Sequence, residues 1–430
     1  MAAWPLYTLF AALPIWWTLG AAYFIWPLIT FPLLFSLLLR GNVRVPPRFG
    51  LWLLFLAWML LASLQVEGHL RLALFAWRAS LYVSATLLFL YVFNASRERL
   101  PDRTILKAMA LFYAAVIVGG LLGVFLPHVS FSTPVESIVP SSFLADQTAY
   151  YFVHPALAEN MDFLGYPVGR PKTLFAYTNQ WGACAAVLTP LALAAVSQMR
   201  PGPPRRGLGI LLILSVVPIT VSLNRGLWLS LGLGLAYVAI RLGRQRDARG
   251  LVAGLVALTV AGLVVLMTPL GGLVEDRFTA QKNSNDTRLA IYQTTVDEIK
   301  ESPVLGYGSP RRNRFDADQP SIGTQGQAFT LAFSYGIPAL LLFVAWFGYS
   351  LFRSMPRGSP SRFWANAAIF VLLMELPYYN YMPATLHVAM VAAALLWRDV
   401  VERADRPVRR PAFTAKPAVR APLTMEQTRA

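Results

Sequence analysis

Apolar runs about 20 residues long, separated by short polar or basic connections, fill most of this chain. A run of that length crosses the hydrocarbon layer of a membrane as helix, whereas the helices of a soluble core show a narrower apolar stripe. The pattern predicts twelve spans, roughly 5–19, 21–39, 49–65, 72–93, 105–126, 173–198, 207–223, 226–241, 250–269, 325–352, 363–378 and 383–398. Pro14, Pro27 and Pro32 interrupt the first two, which predicts a hairpin or a broken helix there. The expected architecture is all-α, a polytopic membrane bundle over 1–402. The apolar start lacks a basic leader and reads as a retained first span.

Composition agrees. Of 430 residues, 56% are hydrophobic and only 13% charged, with a mean hydropathy of +0.51. Length alone would suggest two or three soluble domains, but the hydropathy overrides it. The net charge of +16 changes the picture only through its placement. Arg40, Arg44 and Arg48 follow span two; Arg97, Arg99, Arg103 and Lys107 follow span four. Arg200, Arg205 and Arg206 follow span six, Arg241, Arg244, Arg246 and Arg249 span eight, and Arg353, Arg357 and Arg362 span ten. Every second connection is basic, which predicts that these loops and both termini face the cytoplasm. No Arg-rich helix carries base-reading aromatics, so no nucleic-acid partner is expected. The single cysteine, Cys184, sits in an apolar run and reads as packing. The tail 403–430, rich in Pro, Ala and Arg, is expected to be disordered and to meet anionic lipid.

The outer face is then left with two long connections, about 127–172 and 270–324, and long connections tend to carry function. In the second, Asn285-Asp286-Thr287-Arg288 precedes a helical stripe of Leu289, Tyr292, Val296 and Ile299. Asn285 or Asp286 is the expected N-cap. Ser302-Pro303 ends the segment and Gly306-Tyr307-Gly308 turns it. A helix N-terminus beside Arg288 would suit a phosphate; the plainer reading is a surface helix with Arg288 paired to Asp286. The loop also holds Arg311 and Arg312, offset by eight acidic residues. Between spans seven and eight, Asn224-Arg225-Gly226 makes a connection so short that Arg225 must lie at the interface, either snorkelling or functional. Before span six come Arg170 and Lys172, with Asn179 and Gln180 expected about two turns into the helix, where they bind a sugar or tie helices together.

Taken in order, these stretches resemble the O-antigen polymerase/ligase family over roughly 165–350. Its members show an Arg after a short outer turn, matched by Arg225. They show an Arg opening a loop helix that ends in Pro-x-x-Gly-x-Gly, matched by Arg288 and by Pro303 to Gly308. An earlier Gly-x-Phe-x-x-Pro-Asn-like stretch is loosely matched by Thr173 to Asn179, with Thr178 in the Pro position. The family's Gly-Ile-Pro-Gly-like turn is matched by Gly336-Ile337-Pro338-Ala339, but its preceding His-Asn reads Gln325-Gly326. A glutamine can orient an acceptor hydroxyl and cannot act as general base. His154 is the one histidine considered as a substitute, against the plainer reading of a satisfied structural side chain.

The resemblance implies a glycosyltransferase that moves a glycan from a polyprenyl diphosphate to an acceptor hydroxyl on a glycan or glycolipid at the outer face. Arg225 and Arg288 would stabilise the charge developing on the departing diphosphate. Gln325 completes the catalytic set. Arg170, Lys172, Asn179, Asn224, Arg311 and Arg312 are the expected substrate-binding residues. The donor arrives activated, so no cofactor and no metal are expected, and a chain-length regulator is a candidate partner besides the bilayer. The alternative is a secondary transporter or flippase, for which Glu375 is the mid-span acid to watch.

Overall fold

The computed structural model describes residues 2–144, 147–161, 167–245, 247–248, 270–279, 282–311, 321–353 and 359–404, with single positions between 252 and 262. The span expected at 250–269, Arg312 and the tail from 405 lie outside the described residues, as do the side chains of 282–289, Arg288 among them.

The principal helices are α1 (Ile25–Leu38), α2 (Gly50–Leu61), α3 (His69–Asn94), α4 (Asp102–Phe125), α5 (Thr178–Gln198), α6 (Pro203–Leu214) and α7 (Val216–Val221). They continue with α8 (Arg225–Arg244), α9 (Lys282–Glu301), α10 (Gln327–Arg353), α11 (Pro360–Glu375) and α12 (Ala384–Ala404). Among the described residues, six helices are long and apolar enough to cross a membrane, the joined α6–α7 included, and α1, α2 and α12 are shorter apolar helices. The first expected span is a broken helix: a π segment, Tyr7–Ala11, precedes Leu13–Thr18, with Pro14 in the latter's first turn.

Hydrogen bonds between connections far apart in sequence gather them at two ends of the bundle. At one end, Asn94 holds the backbone of Arg44 and Arg398 donates to the carbonyls of Ala95 and Leu100. This end carries the basic connections. The other end carries the long connections. α5 fills the middle, set against α4, α11 and α12. Its Ala183, Cys184, Ala185, Ala186 and Ala192 are fully buried, and small side chains are what let helix backbones close up in an apolar solvent.

One element was not expected. β1 (Ala158–Met161) and β2 (Val168–Pro171) pair antiparallel, with Glu159 opposite Arg170. Two strands of four residues carry too few alternations for period two to register. Two boundaries are corrected. α9 begins at Lys282, so Asn285 and Asp286 lie inside it instead of capping it; no Pro or Gly between 282 and 288 stops the helix from reaching back. α5 begins at Thr178, so Asn179 and Gln180 stand in its first turn, because Leu174 takes a positive φ and Tyr177 is extended.

Candidate functional site

The loop end is knitted together by a few side chains. Arg170, on β2, is 5% exposed. Its Nε donates to the Ser222 carbonyl at 2.6 Å and its Nη2 to Asn224 Oδ1 at 2.5 Å and Asn179 Oδ1 at 3.5 Å. Asn224 Nδ2 donates onward to the Thr178 carbonyl at 3.0 Å. The planar guanidinium thus joins the hairpin, the start of α5 and the turn before α8. On the opposing strand Glu159 accepts from the Thr178 N–H at 3.2 Å, close to Lys172. Lys172 lies 4.2 Å from the centre of the Tyr151 ring. Burial pushes its ammonium below the usual lysine range, against the pull of Glu159.

Arg225 is the first residue of α8, behind an extended Asn224. The arrangement sought in α9, a guanidinium at a helix N-terminus, is therefore built in α8. Gly226 is small for a reason: a Cβ there would stand 2.8 Å from the Tyr379 hydroxyl. That hydroxyl accepts the Leu227 N–H at 2.7 Å, while the Tyr379 carbonyl accepts the Gln327 N–H at 2.8 Å. Tyr379 so fixes the start of α8 to the start of α10. Gln327 reaches sideways as well, donating to the Tyr82 hydroxyl at 2.7 Å and accepting from the Tyr381 N–H at 3.1 Å.

Gln325 lies two residues before α10. Its carbonyl accepts from the Tyr292 hydroxyl of α9 at 3.3 Å, and the Tyr292 ring lies 4.8 Å from that of Phe329. Arg288 is one helical turn before Tyr292, so its position shares the face by which α9 docks.

The Pro303–Gly308 segment and the Gly336-Ile337-Pro338 turn are two halves of one joint. Gly336 has φ 83° and breaks α10. Pro338 has no N–H to give the Ser334 carbonyl, which accepts from the Gly308 N–H at 2.7 Å instead. The Phe333 carbonyl takes the Tyr307 N–H at 2.9 Å, and the Ile337 N–H goes to the Pro303 carbonyl at 2.8 Å. Arg311 covers the joint, its guanidinium 3.7 Å from the Tyr307 ring centre and 3.8 Å from Glu298.

The expected residues Arg170, Asn179 and Asn224 therefore meet in one cluster, and Gln325 is joined to α9. His154 is held by both oxygens of Glu136 at 3.0 Å and stacked on Tyr150, the satisfied side chain of the plainer reading. Glu375, expected in mid-span, is the last residue of α11 and lies at the loop end. Tyr379, Gln327 and Tyr292 were missed as joining residues. Only Tyr292 left a trace in the sequence, through its place in the amphipathic stripe.

Residues 210–344 match the family model Wzy_C, described as O-antigen ligase. The match runs from α6 to just beyond the break in α10, and so takes in Arg225, Arg288 and both halves of the joint; Thr173 to Asn179 lie before it. It supports an O-antigen ligase/polymerase family assignment, and with it a multi-pass membrane protein with a glycosyltransferase-like role in O-antigen or surface-polysaccharide assembly. A search of curated proteins gives no match.

Proposed function

We propose that this protein transfers a glycan from a polyprenyl-diphosphate donor to an acceptor hydroxyl, at the outer face of a bacterial inner membrane and without a metal. The observation that carries this reading is the convergence at the loop end. Arg225 heads α8, Tyr379 ties that helix start to α10, and α9, bearing Arg288, docks beside Gln325.

Breaking the anomeric C–O bond sends the electron pair to the diphosphate. A guanidinium at the positive end of a helix strengthens its hold as that charge grows, and so lowers the barrier. In this reading Arg225 and Arg288 serve the diphosphate. Gln325 orients the acceptor hydroxyl, whose proton leaves to water or to the diphosphate. Arg170 and Asn224 position the turn that presents Arg225, while Lys172, Asn179, Arg311 and Arg312 bound the glycan. The basic end faces the cytoplasm with both termini.

The test is transfer in proteoliposomes, with a polyprenyl-diphosphate oligosaccharide and no ion gradient. Wild type should turn over, and Arg225→Ala and Arg288→Ala should each lose at least about 100-fold at normal protein levels. A product ladder marks a polymerase and a single shifted acceptor a ligase. Near-wild-type rates in both variants would overturn the arginine roles; no turnover by folded wild type would favour the transporter.

A further inference from the structure

Buried polar atoms in folded proteins are nearly always matched, so the exceptions are informative. On α3, Arg71, Phe75, Arg78 and Tyr82 recur at intervals of four, three and four and share one face. Arg71, nearest the loop end, donates to the carbonyls of Tyr307 and Ser309 at 2.7 and 3.2 Å. Phe75 and Tyr82 flank the Tyr335 ring of α10, with centroids 6.1 and 6.2 Å away. Arg78 stands between them on α3, opposite Tyr335 and about 10 Å of helix rise below Arg71. Its Nη1 is sealed from solvent and has no hydrogen-bond partner among the described residues, and the Tyr335 hydroxyl is buried without one too. No ion pair to Arg78 is formed among the described residues.

Arg78 is half-buried, but a guanidinium keeps its proton in a protein, and a sealed, unmatched N–H on a charged group costs more than one on a neutral group. Arg78 is the tenth residue of α3, within its apolar run, and ionisable groups inside spans mark ligand paths. A guanidinium N–H and a hydroxyl, both sealed and unmatched on neighbouring helices, could both donate to an oxyanion. The place is linked to the site above: the neighbouring Tyr82 hydroxyl holds Gln327, and Gln327 reaches the start of α8 through Tyr379.

We propose that Arg78 and Tyr335 form an oxyanion site inside the bundle that takes a phosphate of the lipid-linked donor, deeper than Arg225 and on the lipid side. The inference rests on the transfer reaction proposed above. A carboxylate on an acidic sugar offers the same chemistry, but glycans extend toward water, whereas a polyprenyl phosphate enters from the apolar layer.

The test uses full-length purified protein and three probes: farnesyl diphosphate, farnesol and p-nitrophenyl glucuronide. Binding is read as a ligand-dependent rise in Tm and as a Kd. Farnesyl diphosphate should raise the Tm of wild type and farnesol should not. Arg78→Gln, without ligand, should unfold at or above the wild-type temperature, yet bind farnesyl diphosphate at least about tenfold more weakly. Tyr335→Phe should weaken it about threefold. Arg78→Gln binding like wild type, or unfolding at a clearly lower temperature, overturns this site alone. Loss of glucuronide binding with diphosphate binding intact reassigns it to a carboxylate and overturns the phosphate claim. Wild type that ignores farnesyl diphosphate overturns the transfer reading itself.

Discussion

Two arginines enter the bundle near its loop end, and their surroundings differ sharply. Around Arg170 the acceptors are supplied: a carbonyl, two side-chain amides and the Met161 sulfur surround one guanidinium. Beside Arg78 lie the Tyr335 hydroxyl and aromatic rings, and Nη1 makes no hydrogen bond among the described residues. The first pattern is how a protein fixes its own backbone, since the acceptors come from β1, the start of α5 and the turn before α8. The second leaves the charge uncompensated until something else brings oxygen atoms. Arg170 is buried and Arg78 half-buried, yet the residue type is the same; what separates the two is whether the sealed donors are matched.

The largest effect that would sharpen this contrast lies in the backbone. Gly336→Ala would drive a Cβ into the Val304 carbonyl at a positive φ, and should cost more than about 3 kcal/mol, read as lost monodisperse protein. Normal yield and Tm would mean that the joint can open without penalty. Arg170→Met should cost about 3 kcal/mol in reversible unfolding, because the Ser222 carbonyl and Asn224 Oδ1 lose their charged donor. Arg170→Lys should recover only part, lacking the fork. Tyr379→Phe removes the acceptor of one N–H and should cost about 1 kcal/mol. The smallest effect belongs to Arg78→Gln, within about 0.5 kcal/mol of wild type without ligand. If that variant falls as far as Arg170→Met, the contrast is lost and Arg78 is structural.

The helices were legible in the sequence because each apolar run reports its own solvent. α3, α4, α8, α10, α11 and α12 begin within a few residues of their expected starts. The outer loop was legible only in pieces. Pro303 to Gly308 and Gly336 to Pro338 each announce a turn, but that the turns exchange hydrogen bonds is a pairing across about thirty residues, which no local pattern encodes. Tyr379 and Gln327 were hidden for the same reason, since their partners lie on other helices. Arg78 stands within the apolar run 72–93 but was not singled out there. What the sequence did not carry was the absence of a partner, a property of the folded neighbourhood.

The joint in α10 also bears on how the chain is made. A break in a membrane helix exposes carbonyls that an apolar solvent cannot satisfy. Here the segment that satisfies them, 303–308, is synthesised about 30 residues before the break at Gly336. The partner is thus already out of the ribosome when Phe333 and Ser334 follow, and α10 can enter the bilayer bent, without passing through a straight form that must later be broken. Moving the same segment to the far side of α10 would preserve every contact on paper and reverse the order of assembly.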